Sequence, residues 1–169
     1  MSSRQVLLSL GANLGNPVET LDNAIRLIST SILQNVQAST LYKTAPVGFT
    51  NQPPFVNAAV VGTTEMNPTE IHRACKQLET MLGRTQRERW HEREIDIDVI
   101  LIDDLVIDSI DVQIPHPRFH ERLFVLTPAC ELIPDVICPI TGKTLAQLLD
   151  ECPDKVSCPV QLTNSTTGS

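Results

Sequence analysis

The chain has 169 residues, 41% of them hydrophobic, and its 13 basic and 20 acidic residues give a formal net charge of −7. That apolar fraction excludes a disordered chain, and the acidic balance disfavours non-specific binding to nucleic acid or to an anionic membrane. Five cysteines with no C-x-x-C pair, no leader-like segment at Met1–Gly11 and no long apolar run point to a cytoplasmic protein without a membrane span, its thiols reduced.

Gln5–Leu10 is a short apolar run that reads as a buried strand, followed by a turn-rich loop in which Gly11 and Gly15 act as turn formers. Their spacing fits neither G-x-G-x-x-G nor a P-loop. A helix is predicted from Pro17 to Ile32, with Pro17 in its first turn and Leu21, Ala24, Ile25 and Ile28 on one face. Val36–Lys43 alternates as a second strand, and residues 44–54 form a long loop, a length usually tied to function. Phe55–Val61 is a third strand. It sets Asn57 in an apolar run, where the amide must either cap local backbone or read a polar ligand.

Asn67 and Pro68 open a second helix with a core stripe of Ile71, Ala74, Cys75, Leu78 and Leu82, ended by Gly83. Beyond it lie Arg84, Arg87, Arg89 and Arg93 around the sole tryptophan, Trp90, and then the alternation Ile95-Asp96-Ile97-Asp98-Val99-Ile100. In a strand Asp96 and Asp98 share one face, about 6–7 Å apart. Adjacent carboxylates repel unless a cation lies between them, and oxygen donors suit Mg²⁺. Guanidinium groups offer bidentate sites for phosphate oxygens, so the pair of features fits transfer chemistry on a nucleotide. The same residues also fit a solvated strand edge and a solubilising arginine run.

A turn at Asp103-Asp104 leads to a short return strand, Leu105–Ile107, and Ile114-Pro115-His116-Pro117-Arg118 is an extended turn. Short helices are predicted over His120–Ala129, carrying Arg122 and Phe124, and over Leu145–Leu149. The order strand–helix–strand–strand–helix–strand predicts an α+β fold. Its ferredoxin-like βαββαβ core would have an antiparallel sheet with helices on one face, plus an extra C-terminal hairpin and short helices. Residues 1–156 read as a single domain and 157–169 as a polar Ser/Thr-rich tail. An RNA-binding module of similar pattern is disfavoured by the acidic charge, the D-x-D pair and the lack of an aromatic-rich strand.

Six segments in order carry a resemblance. They are Leu10-Gly11-Ala12-Asn13-Leu14-Gly15; Tyr42-Lys43-Thr44-Ala45-Pro46; Gln52 to Ala59; Leu78-Glu79 to Gly83-Arg84; Arg89-Trp90 to Asp98; and Pro115-His116-Pro117-Arg118 to Leu126. Together they resemble the 6-hydroxymethyl-7,8-dihydropterin pyrophosphokinases of folate synthesis over roughly residues 5–150. The resemblance implies a transferase that moves pyrophosphate from ATP, as co-substrate, to the hydroxymethyl group of 6-hydroxymethyl-7,8-dihydropterin, releasing AMP. It implies that Asp96 and Asp98 hold two Mg²⁺ ions and act in catalysis with Arg84 and Arg93. ATP would be contacted by Glu79, Arg87, Trp90, Arg93, His116 and Arg122. Phe55 and Phe124 would sandwich the reduced pterin, with Asn57 and Thr44 at its polar edge and Val47 against its ring. The implied partners are these small molecules alone, on a monomer. The chain departs from the family pattern in three places: the 84–92 loop is one residue shorter, His91-Glu92 replaces Gly-Pro, and Phe55 stands where tyrosine is frequent.

Overall fold

The computed structural model describes residues 2–44, 53–83, 95–154 and 157–162. Strand β1 (Arg4–Ala12) continues two residues beyond the apolar run, so Gly11 lies in the strand rather than in the turn expected of it. Helix α1 (Pro17–Ser31) starts where Asn16 Oδ1 accepts from the Glu19 N–H, with Pro17 in a position that needs no amide hydrogen. The single strand expected at Val36–Lys43 is two, β2 (Gln34–Ala38) and β3 (Tyr42–Thr44). They are interrupted where the Ser39 hydroxyl accepts from the Ala59 N–H and donates to the Thr40 carbonyl. A side chain that competes for backbone partners locally breaks the ladder. Both strands run along β4 (Phe55–Thr64).

Helix α2 (Pro68–Gly83) is opened by a reciprocal cap: Asn67 Oδ1 accepts from the Glu70 N–H and Glu70 Oε1 from the Asn67 N–H, both at 2.9 Å. Strand β5 (Asp96–Ile102) follows the arginine-rich segment. The main sheet is antiparallel in the order β5-β1-β4-β3, with β2 also on β4, which is the ferredoxin-like arrangement. The expected return strand at Leu105–Ile107 does not rejoin it. Instead β6 (Ile107–Asp108) pairs with β7 (Gln113–Ile114) in a separate hairpin beside β5.

The two faces of the sheet are covered differently. Val6, Leu8 and Leu10 of β1, Ala58 and Val60 of β4, and Ile97 and Val99 of β5 meet Leu21, Ile28, Ile71 and Leu78 of the two long helices. Each such fully buried aliphatic side chain stabilises by about 1.5–3 kcal/mol. Leu7, Ala59, Val61 and Leu101 point the other way, into a second cluster with α3 (Leu123–Leu132) and α4 (Leu145–Glu151). The long helices thus share one face, as expected, while the short ones cover half of the other.

The expected helix over His120–Ala129 is corrected in two ways. Phe119–Glu121 is a 3-10 turn, and α3 begins only at Leu123, with Arg122 extended at its cap. The tail is also partly structured, since Val160–Gln161 forms β8 on the outer edge of β3.

Candidate active site

Strand alternation and register determine which side chains meet. Gly11 pairs with Asn57 and with Asp96, Ser9 with Ala59 and with Asp98, and Tyr42 with Asn57. Paired residues point to the same face. Asp96 and Asp98 of β5, Ser9 and Gly11 of β1, Phe55 and Asn57 of β4, and Tyr42 and Thr44 of β3 therefore line one face, the one that α3 covers only in part. Strands β1, β4 and β5 are apolar at one end of this face and carry polar groups toward the other.

Asn57 and Thr44 are each 3% exposed, and the Asn57 amide donates to the Thr44 hydroxyl at 2.8 Å. The room for this amide comes from Gly11, where a Cβ would lie 2.7 Å from Asn57 Oδ1. Reading the sequence as turn chemistry missed that role; a glycine at the end of an apolar strand was the available signal. Phe55 is half-buried at the same end, and Asn13 reaches over from the β1–α1 loop to donate to the Pro53 carbonyl. Helix α3 lies across β4 and β3, and Arg122 at its cap has its guanidinium carbon 5.7 Å from the Phe124 ring centre.

Asp96 is exposed and Asp98 half-exposed. On the open edge of β5 a cleft of about 220 Å³ lies between α2 and the β6–β7 hairpin, lined by His72, Lys76, Asp98, Gln113 and His116. Glu79 faces this edge from α2. It is 4% exposed, and its Oε2 accepts from the Ile97 N–H at 2.6 Å. Lys76 Nζ lies 3.3 Å from Glu79 Oε2 and 4.0 Å from Asp98 Oδ1. The wider contact, between two side chains each about 40% exposed, is a loose pair worth under about 1 kcal/mol. Its lysine was not singled out from the sequence, because i, i+3 spacing on α2 says nothing of β5.

The His116 N–H donates to the Ile100 carbonyl, which ties the cis-proline segment Ile114–Pro115 to β5. Its imidazole is held below the ordinary histidine value, chiefly by burial. The Arg122 and Lys76 charges act in the same direction and the Asp98 carboxylate opposes them. His116 Nδ1 accepts from the Arg118 N–H, leaving Nε2 as the remaining polar atom of the ring.

Of the expected site residues, Thr44, Phe55, Asn57, Asp96 and Asp98 share one sheet face, and His116 joins Asp98 at the cleft. Arg122 and Phe124 sit together at the start of α3, and Glu79 stands behind the β5 edge. Val47, Arg84, Arg87, Trp90 and Arg93 lie outside the described residues.

The family profile described as 7,8-dihydro-6-hydroxymethylpterin-pyrophosphokinase (HPPK) matches residues 7–134. A 2-amino-4-hydroxy-6-hydroxymethyldihydropteridine pyrophosphokinase from Bacillus subtilis is 38% identical over 130 residues, 76% of this chain and 78% of that protein. The protein of the same description from Haemophilus influenzae is 34% identical over 148 residues, 87% of this chain and 92% of its own. The folate synthesis bifunctional protein, mitochondrial, of Arabidopsis thaliana is 37% identical over 132 residues, and the match spans only 24% of its length. Among solved structures, a Plasmodium falciparum HPPK-DHPS triple mutant superposes with a TM-score of 0.73 at 18% identity, over 89% of this chain and 44% of that one, a likeness of fold.

Proposed function

We infer the activity from the family to which the chain belongs, the 7,8-dihydro-6-hydroxymethylpterin-pyrophosphokinases: it transfers pyrophosphate from ATP to 6-hydroxymethyl-7,8-dihydropterin, releasing AMP, in folate synthesis. One observation carries the placement of that reaction. Two carboxylates, a buried amide–hydroxyl pair and a half-buried phenylalanine stand on neighbouring strands at one end of one sheet face, with an open cleft beside Asp98.

The pterin lies over the β4–β3 end of this face. Phe55 and Phe124 supply flat apolar walls and Val47 a further apolar contact, while Thr44 and Asn57 address the polar edge of the ring. Asn57 is held in one orientation by Thr44 and by the space above Gly11, so its hydrogen-bonding atoms are preorganised for a planar heterocycle. ATP occupies the cleft along β5, where Lys76 and His116 face it, and Glu79, Arg87, Trp90 and Arg122 complete its contacts.

The hydroxymethyl oxygen attacks the β-phosphorus as the bond to the α,β-bridging oxygen breaks. AMP leaves with that oxygen, and the hydroxyl proton is released. Asp96 and Asp98 are hard oxygen donors side by side on one strand face, a set that fits Mg²⁺ with phosphate oxygens and water as further ligands. They would hold two ions, and Mg²⁺ when bound supplies charge neutralisation of the triphosphate. Arg84 and Arg93 act on the phosphate charge that shifts during transfer. The apolar walls keep water from competing with the pterin hydroxyl. A monomer in the cytoplasm fits this reading, since both substrates are small and water-soluble.

The experiment is AMP formation from ATP and Mg²⁺, with and without the pterin and with EDTA. AMP that requires both pterin and metal is the expected result. AMP formed without pterin, or unaffected by EDTA, overturns the reaction assignment.

A further inference from the structure

Helix α3 starts without a cap of its own. Arg122 occupies the cap position with an extended backbone and makes no side-chain capping bond, and the first turn holds no acidic residue. First-turn amides need acceptors, and a helix N-terminus favours negative charge. Both needs are met from far along the chain, by Asp154 Oδ2, which accepts from the Leu123 N–H at 3.1 Å. That carboxylate is itself fixed by Ser157, 1% exposed, whose N–H donates to Oδ1 at 3.0 Å and whose hydroxyl donates to Oδ2 at 2.6 Å. The chain then runs into β8, which pairs with Tyr42 and Lys43, and the Leu162 N–H donates to the Leu41 carbonyl. Strand β3 ends at Thr44, the partner of Asn57. One short segment thus touches both the helix turn that bears Arg122 and Phe124 and the strand that bears Thr44. It lies beyond residues 7–134, the part of the chain matched by the family profile.

We propose that Asp154 is a positioning residue for the pterin wall: by holding the Leu123 amide it sets the first turn of α3, and with it Phe124. The inference rests on the placement of Phe124 at the pterin given above. Leu123 lies between Arg122 and Phe124, so a turn that frays at Leu123 frees both neighbours. Locally the turn is closed only by backbone bonds, from the Val125 and Leu126 N–H groups to the Arg122 carbonyl, and no neighbouring side chain caps the Leu123 amide.

The test is steady-state kinetics on the full chain for Asp154→Ala, Phe124→Ala and the double variant, with Tm measured for each. Thr144→Ala, which removes the cap of α4 away from the site, serves as a control for destabilisation alone. Asp154→Ala is expected to raise the pterin KM by about tenfold, the scale of a lost helix cap, with Thr144→Ala leaving it unchanged. In the Phe124→Ala background the same change should add less than about twofold, because Asp154 acts through that ring. Asp154→Asn keeps one acceptor for the Leu123 amide but loses the charge and one acceptor oxygen, so it should raise the pterin KM less than Asp154→Ala does. If Phe124→Ala alone leaves the pterin KM unchanged, the placement of the pterin is wrong. If Phe124→Ala raises it and Asp154→Ala does not, or raises it equally in both backgrounds, the positioning role is wrong. Should Asp154→Ala not fold, Ser157→Ala loosens the same carboxylate, with a smaller rise expected and no rise overturning the proposal.

Discussion

The two faces of the main sheet are made by the same strands and do opposite things. On the α1/α2 side three strands contribute apolar runs: Val6, Leu8, Leu10 and Ala12 on β1, Val56, Ala58 and Val60 on β4, Ile97 and Val99 on β5. On the other side the alternate residues of those strands change character partway. Leu7, Val61 and Leu101 lie under α3 and α4, and then come Ser9 and Gly11, Asn57, and Asp98 and Asp96. An apolar face can be closed by any amphipathic helix. A face carrying carboxylates and an amide must either satisfy those groups internally or leave them to a ligand. The chain does both, since Asn57 and Thr44 satisfy one another while the aspartates stay open to solvent. Placing such groups on paired strands rather than on loops keeps their spacing close to that of the pleat.

The sharpest way to break this contrast is at the aspartates. Asp96→Ala and Asp98→Ala are each expected to lower turnover on the order of a thousandfold, the loss of several kcal/mol of charge stabilisation, with little change in thermal stability. A variant that keeps near-normal turnover in Mg²⁺ would return the pair to the role of a solvated edge.

A smaller, paired effect comes from two glycines, one per face. A Cβ on Gly62 would meet Leu33 Cβ at 2.8 Å and the Gln34 carbonyl at 2.9 Å, on the side packed by α1. Gly62→Ala should cost about 1–3 kcal/mol of stability by overpacking and leave the pterin KM unchanged. A Cβ on Gly11 would instead press on the Asn57 amide, so Gly11→Ala should raise the pterin KM by roughly tenfold, about 1.4 kcal/mol of binding, with the smaller loss of stability. Calorimetry and kinetics on the two variants decide it, and identical profiles would erase the distinction between the faces.

The smallest effect concerns how α3 is latched to the polar face. The sole tyrosine, Tyr42, donates its hydroxyl to Glu131 of α3 at 2.8 Å. Burial first, and then the Glu131 carboxylate, push its phenol above the ordinary value, with Thr40 opposing. A raised folded value means that this group's contribution to stability is complete below about pH 10 and is lost as pH rises through the folded value. Ultraviolet titration should show the phenol ionising at higher pH in the folded than in the denatured chain. Coincident titrations would mean that the latch is absent.

Much of this was legible in one dimension. The period of 3.6 over residues 17–32 and 68–83, the caps Asn16 and Asn67, and the alternation around Asp96 and Asp98 are local properties, and local geometry alone decides them. Ordered motifs also pointed to the family. What escaped was whatever depends on a partner distant in the chain. Gly11 looked like a turn former until register set it against Asn57. Lys76 was one polar residue on a helix until β5 ran beside it, and the C-terminal segment was polar composition until Asp154 and β8 tied it to α3 and β3. Residue order by itself determined the two long helices, the strands β1, β4 and β5 and which of their faces are apolar, because backbone sterics and side-chain period act over a few residues. Only the tertiary structure decided which polar groups share a face and what holds them there, because hydrogen bonds across 31 or 98 residues leave no periodic trace in the sequence.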